Sequence, residues 1–259
     1  MHRIDFNHIS DKYRMFFDKG TEGEGALLHQ EEQVMRLADQ FGASVQSPNR
    51  RVTGSLFAKR YNSLLAGALY LWLFHGFGTD LSRDVIKIRL NGISLIFHLY
   101  GERSFSGWTD EEYIRHMMID NAAPVFRLIA SHTTIPEKNL WSHLSYLLAY
   151  WNQEWLRNEL SDVLRNRIED VYLELAKTYS LGSGFHACED PLHTEHAILV
   201  RDTCCMNYRL QGEDRYCYTC PLITDERRWE KYRNAHQKEQ ALPEIAADKI
   251  KECAKVASI

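Results

Sequence analysis

With 259 residues, 44% of them hydrophobic and 25% charged, the chain has the composition of an ordinary globular protein and can bury a sizeable core without disulfides or metal. Its formal net charge of −4, with Lys and Arg spread evenly and no basic block, excludes an electrostatic footprint for nucleic acid. The content of large apolar residues likewise excludes a disordered chain.

The opening MHRIDFNHISDKYRMFF is charged and lacks the apolar core and small-residue cleavage site of a signal peptide, so a cytoplasmic location is expected. The glycine-rich GTEGEG at 20–25 reads as a loop. In 26–41, Leu27, Leu28, Val34, Leu37, Ala38 and Phe41 recur near helical spacing and predict an amphipathic helix. A mostly apolar helix follows from about Leu56 to Phe77, ended by Gly76 and Gly78, with a turn at Asp80 to Arg83. Its apolar run from Leu64 to Phe74 has eleven residues. A bilayer-crossing helix needs roughly 20, so this is a buried core helix and the chain is not expected to span a membrane.

VIKIRL and ISLIFHL are alternating runs joined by Asn91-Gly92, the pair best suited to a type I′ turn. They predict a β-hairpin at about 85–99, which must pack on a helix or join further strands to be stable. Thr109 and Glu112 form a capping box that starts a helix, and Pro124 is expected to kink or break it. Pro136 suits the first turn of another helix, whose Trp141, Leu144, Leu148, Trp151 and Trp155 recur at three and four residues. That stripe reads as core in preference to a ligand-binding wall. A further helix covers about 159–180. LGSGFHACEDPLHTEH then breaks the pattern, and the charged DERRWEKYRNAHQKEQ and the final AADKIKECAKVASI predict a surface helix and a short terminal one. No internal repeat is visible. The expected fold is α+β, a predominantly helical body with a small antiparallel β element and a C-terminal cysteine-rich segment. The expected division is a body at 1–184 carrying the substrate side, a cysteine-bearing segment at 185–224 and a charged helical tail at 225–259.

Six cysteines without a secretory signal are poor material for disulfides. Four of them, Cys204, Cys205, Cys217 and Cys220, form the pattern C-C-x11-C-x2-C. Four thiols suffice for a tetrahedral zinc or a two-iron cluster, and the C-x2-C spacing lets two sulfurs reach one metal centre. Structural zinc usually pairs two knuckles, and the side chains of an adjacent Cys-Cys pair tend to diverge. A [2Fe-2S] cluster is wider and offers separate sites on two irons, so it is favoured over zinc, which stays open.

The segment resembles the C-terminal motif of FhuF-type siderophore-iron reductases, with a Cys-Cys pair, a Tyr-Arg loop containing glycine, and a closing C-x2-C. Tyr208, Arg209, Leu210 and Gly212 look like that family's loop, one residue longer here than is usual. SLFAKRYNSLLAGALYLWLFHGFGTDLS at 55–82 resembles, more loosely, the helix and Asp-Leu-Ser turn before the family's hairpin. The resemblance implies that Cys204, Cys205, Cys217 and Cys220 bind a [2Fe-2S] cluster. It further implies a cytoplasmic oxidoreductase that reduces ferric siderophores, of hydroxamate or citrate type rather than catecholate, by one electron. The tail after 224 is longer than is usual there.

For a bulky, often anionic chelate, the candidate substrate contacts are Arg50, Arg51, Lys59, Arg60 and Arg209, although solvated surface charge is the commoner fate of any one of them. The substrate site stays unassigned, and no catalytic residue is expected beyond the cluster ligands. Cys188, His193 and His196 lack an obvious fourth partner for a second metal site, and a loop with satisfied histidines is the default. Cys253 reads as a plain small residue, and His75 and His98 as hydrogen-bonded structural histidines. No G-x-G-x-x-G or P-loop is present, so a separate donor such as a ferredoxin or flavoprotein is expected to supply electrons. The competing readings are a zinc-braced interaction protein and an iron–sulfur sensor.

Overall fold

The computed structural model describes residues 4–18, 25–100, 105, 107–158, 160–189 and 197–236. Its centre is a long helix, α3 (Arg50–His75), which follows α1 (Phe6–Tyr13) and α2 (Glu31–Ser44). The Asn49 side chain caps α3 by accepting from the Val52 N–H at 3.1 Å, and Gly76, at φ 62°, ends it. The helix therefore begins before Leu56, the residue at which the apolar run starts, because its cap lies upstream of that run. Most of its side chains are buried all round, as the mostly apolar sequence of its second half requires. Gly54 and Gly67 allow close approach. A Cβ on the first would collide with Thr133, and a Cβ on the second with Tyr13 and Met15.

Four strands form one sheet in the order β1-β4-β3-β2, comprising β1 (Met15–Asp18), β2 (Ala26–Leu27), β3 (Ile86–Asn91) and β4 (Ser94–Tyr100). The expected hairpin is β3–β4, with Leu90 opposite Leu95 and Asn91 opposite Ser94. Its turn sits one residue later than expected. Gly92 and Ile93 are the central pair, and the left-handed conformation is confined to Gly92 (φ 59°), as in type II′ rather than I′. β1 adds parallel to β4 and β2 antiparallel to β3, which completes the hairpin. Residues 26–27 are thus strand, and the helix expected from 26 starts at Glu31.

The Thr109 capping box is present and opens α4 (Asp110–Arg115). Pro124 does not break the run. A π-helical stretch, His116–Ala122, leads directly into α5 (Ala123–Thr133), with the Ala123 N–H bonded to the Met118 carbonyl. This wider i→i−5 turn removes the clash a proline ring would make with an α-helical carbonyl. In α6 (Glu137–Leu156), Leu144, Leu148 and Trp155 are buried while Trp141 and Trp151 pack partly buried on the same core, so the aromatic stripe is core. Next come α7 (Asp162–Thr178) and an antiparallel pair, β5 (Phe185–Glu189) and β6 (Ala197–Arg201). After the cysteine segment a helix at 225–236, here α8, packs Tyr232 against Ile198 and Val200 of β6. Among the described residues no helix is long and apolar enough to cross a membrane. The chain is an α+β fold with a mainly helical body and its cysteines gathered near the C-terminus.

Candidate metal centre

β6 ends at Arg201, and the four cysteines follow in two turns. Met206, in the left-handed region at φ 60°, reverses the chain directly after Cys205 and opens a short 3-10 turn at Asn207–Arg209. The second turn is closed by the Cys220 N–H on the Cys217 carbonyl at 3.0 Å. Together they bring all four sulfurs into one closed ring, in which Cys204 touches Cys205 and Cys220, and Cys217 touches the same two. The Cys204–Cys220 Sγ separation is 3.6 Å. The adjacent cysteines do not diverge as expected, because the reversal at Met206 bends them towards a common point.

The ring is polar from within and without. Hydrogen bonds from Cys204 and Cys217 hold Cys205 far below the ordinary thiol range and bring Cys220 to about 3, while Cys204 and Cys217 are pushed up as the donors. The Met206 N–H donates to Cys204 Sγ at 3.3 Å and Thr219 Oγ1 to Cys217 Sγ at 3.5 Å. Arg201 is 2% exposed and places Nη2 2.6 Å from Cys217 Sγ, with its guanidinium 5.4 Å over the Tyr146 ring. Burial disfavours its charge, but the Cys205 and Cys217 sulfurs outweigh burial and raise its pKa above the ordinary arginine value. Its counter-charge is sulfur, and among the described residues no carboxylate pairs with it.

The body meets this ring on two helices. From α3, Ser55 Oγ donates to the Cys205 carbonyl at 2.9 Å, and the charges of Lys59 and Arg60 act on Cys205. From α6, Ser142 accepts from Thr203 at 2.8 Å, and buried His143 lies beside Cys204 and Cys205. Burial lowers the His143 pKa to about 4, so its imidazole is neutral. From the other side α8 supplies Arg228, 3% exposed, which donates to the carbonyls of Tyr218 (2.6 Å), Cys220 (3.0 Å) and Ile223 (3.2 Å). Arg227 and Lys231 both clasp Asp214 in the spacer, at 2.6 and 2.7 Å. Stacked Tyr208 and Tyr216, 4.8 Å apart, close the spacer's base.

Two buried groups here test which metal centre suits the ring. Among the described residues, Arg201 Nε makes no hydrogen bond of ordinary geometry, and the His143 ring meets only the Cys204 backbone. Buried donors are costly to leave unpaired. An anionic cluster that brings sulfide acceptors as well as charge fits this arrangement, and so does a donor set of four thiols. Among the described residues no three or more His, Cys, Asp or Glu side chains form a finished site for a single metal ion, so the fit rests on the donor set and its surroundings.

Of the other candidates, Lys59 and Arg60 are brought to the ring, whereas Arg50 pairs with Asp39 at 3.7 Å and Arg51 and Arg209 are exposed. Cys188, on β5 opposite Ile198, packs in the small core with Val200 and Tyr232 and has no place in the ring. His193, His196, Cys253 and the expected terminal helix lie outside the described residues. His75 and His98 make ring contacts within the body, to Tyr70 and to Phe16 and Tyr100. The sequence alone singled out none of Arg201, His143, Ser55 and Arg228. The available signals were the position of Arg201 just before the first cysteine and the polar face of α6 at Ser142, His143, Ser145 and Tyr146.

Residues 201–222 match the model of the FhuF 2Fe-2S C-terminal domain. The resemblance carried by the four cysteines therefore holds for this segment, which is of the iron–sulfur, siderophore-associated kind. No curated protein matches the chain.

Proposed function

We propose that the chain is a cytoplasmic ferric-siderophore reductase in which Cys204, Cys205, Cys217 and Cys220 hold a [2Fe-2S] cluster. The reading is carried by the closed ring of four sulfurs, packed on a buried arginine whose partner is sulfur, inside a segment that matches a 2Fe-2S domain. When bound, such a cluster supplies single electrons at low potential, about −400 mV in plant-type ferredoxins. Arg201 places a fixed positive charge where reduction adds a negative one, which favours electron uptake. Cys205 and Cys220 are 1% exposed, whereas Cys204 and Cys217 are partly open, so electron exchange belongs on the Cys204–Cys217 side. A siderophore's ferric ion takes up one electron there and becomes ferrous, and its bonds to hard oxygen donors weaken with the loss of charge density. A separate ferredoxin or flavoprotein supplies that electron. Hydroxamate and citrate-type chelates are the expected substrates.

The test is an anaerobic single turnover, in which dithionite-reduced, desalted protein is mixed with a ferric hydroxamate or ferric citrate complex and ferrous iron is trapped by a chromogenic chelator. One ferrous ion per oxidised cluster supports the reading. No ferrous iron from an intact, reduced cluster removes the reductase and leaves an iron–sulfur sensor. A second reading, structural zinc, is favoured by the compactness of the ring, since one tetrahedral ion needs four sulfurs close together. It brings no sulfide acceptor for Arg201 Nε.

A further inference from the structure

A cavity of about 200 Å³ lies where the body meets the spacer between the two cysteine pairs. Phe41 of α2, Val45 just after it, Leu56 of α3 and Ile93 of the β3–β4 turn give it apolar walls, and the spacer contributes Asn207 and Gln211. Among the described residues two cations line it, Arg60 from α3 and Arg215 from the spacer, and no acidic residue does. Neither arginine has a carboxylate partner among those residues. Arg60 is partly buried, and among the described residues its side chain hydrogen-bonds only the Ile93 carbonyl, at 3.5 Å. Arg215 is laid back over Gly212, where a Cβ would sit 2.8 Å from its Nε and 3.1 Å from Nη2. The absence of a side chain at that glycine, at φ 112°, thus lets the guanidinium fold onto its own loop. Two guanidiniums without a paired carboxylate, beside amide donors and apolar walls, are an anion-binding arrangement, and Arg binds carboxylates in a bidentate manner.

We infer that this cavity takes a free carboxylate arm of an anionic ferric chelate, clamped between Arg60 and Arg215. The inference rests on the reductase reading for its ligand and adds the site and charge class of the substrate. Whole-ligand pockets run to about 300–1,000 Å³. A cavity of about 200 Å³ therefore accommodates one arm and leaves the chelated iron outside, over the spacer loop. The spacer is continuous with Cys205 at one end and Cys217 at the other, and Arg60 is close enough to Cys205 for the two charges to interact. Docking the arm here holds the chelate next to the ring. By contrast, a cavity of about 540 Å³ bounded by β2, β3 and α2 shares no lining residue with the cysteine segment.

The experiment uses full-length, cluster-loaded protein and a redox-inert probe, gallium(III) citrate, titrated by calorimetry, with a neutral gallium trishydroxamate for comparison. Arg60→Gln and Arg215→Gln should each weaken gallium citrate binding about tenfold and the double variant about a hundredfold, Arg215→Lys should keep most of it, and added salt should weaken it. Binding of the neutral complex should not respond to these changes. Gallium citrate binding as tightly to the double variant as to the parent, or not at all to the parent at millimolar concentration, overturns the site. If arginine-dependent gallium binding persists while ferric citrate fails to reoxidise reduced protein, the site stands and the reductase reading falls. If reoxidation by ferric citrate is undiminished in the double variant, the site falls and the reductase stands.

Discussion

Arg201 donates from Nη2 to the sulfur of Cys217 at 2.6 Å while only 2% exposed, so the largest fully buried side chain among the described residues is a cation whose partner is a thiol. Replacing it with Gln removes the charge that favours electron uptake. The reduction potential of the loaded protein should fall by on the order of 60 mV, the equivalent of a tenfold change for one electron. Arg201→Lys, which keeps the charge and loses the fork, should recover part of the shift. Redox titration followed by visible absorption checks both, and an unchanged potential in Arg201→Gln would show that the arginine only packs.

Much of this arrangement is legible in residue order, and the remainder depends on folding. The four cysteines, the β3–β4 hairpin, the Thr109 capping box and the α6 core stripe each follow from spacing within a short window, so the sequence alone reveals them. His143 and Ser55 are not legible in this way, because their importance comes from contacts across 61 and 150 positions (His143 beside Cys204, 204 − 143; Ser55 bonded to Cys205). Pro124 misleads for a physical reason, since a π-helical turn accommodates the ring that an α-helical turn rejects. The cation clamp is half visible. Arg60 is a candidate from sequence, whereas Arg215 is brought to the cavity by a conformation of Gly212 that spacing does not reveal.

Ser55 Oγ on the Cys205 carbonyl ties the first cysteine turn to α3. In Ser55→Ala this buried acceptor loses its partner, at a cost of about 1–3 kcal/mol. Thermal unfolding should shift down by several degrees while the cluster still assembles. A midpoint equal to the parent's would show that the carbonyl finds another donor.

Arg228 gathers three carbonyls around the C-x2-C turn and pairs with Asp225 at 3.1 Å. Arg228→Met should leave those carbonyls unsatisfied, cost roughly 3 kcal/mol and speed cluster loss on dilution or chelator challenge. The rate of colour loss is the readout. Loss at the parent's rate would mean that the helix at 225–236 does not brace the turn.

Asp80, 5% exposed, accepts from the Ser82 N–H at 2.9 Å and lies 3.6 Å from His116. Burial raises its pKa, but the nearby His116 and the hydrogen bonds from Ser82 prevail and bring it to about 2 from 3.8. A carboxyl depressed in the folded state stabilises fully above its unfolded pKa and loses that contribution as pH falls through the folded one. Stability should therefore drop between about pH 4 and 2 by on the order of 1–2 kcal/mol from this group. Asp80→Asn should flatten that part of the acid limb in urea titrations taken at each pH, and an unaltered limb would assign the acid sensitivity elsewhere.

Whether the four cysteines hold a two-iron cluster is decided by electron paramagnetic resonance of anaerobically purified, dithionite-reduced protein, with iron, sulfide and zinc counted on the same sample. A [2Fe-2S] centre gives about two irons and two sulfides per chain and one unpaired electron on reduction, lost in Cys→Ser variants at 204, 205, 217 or 220. One zinc per chain, no sulfide and no resonance from protein never exposed to air would contradict it.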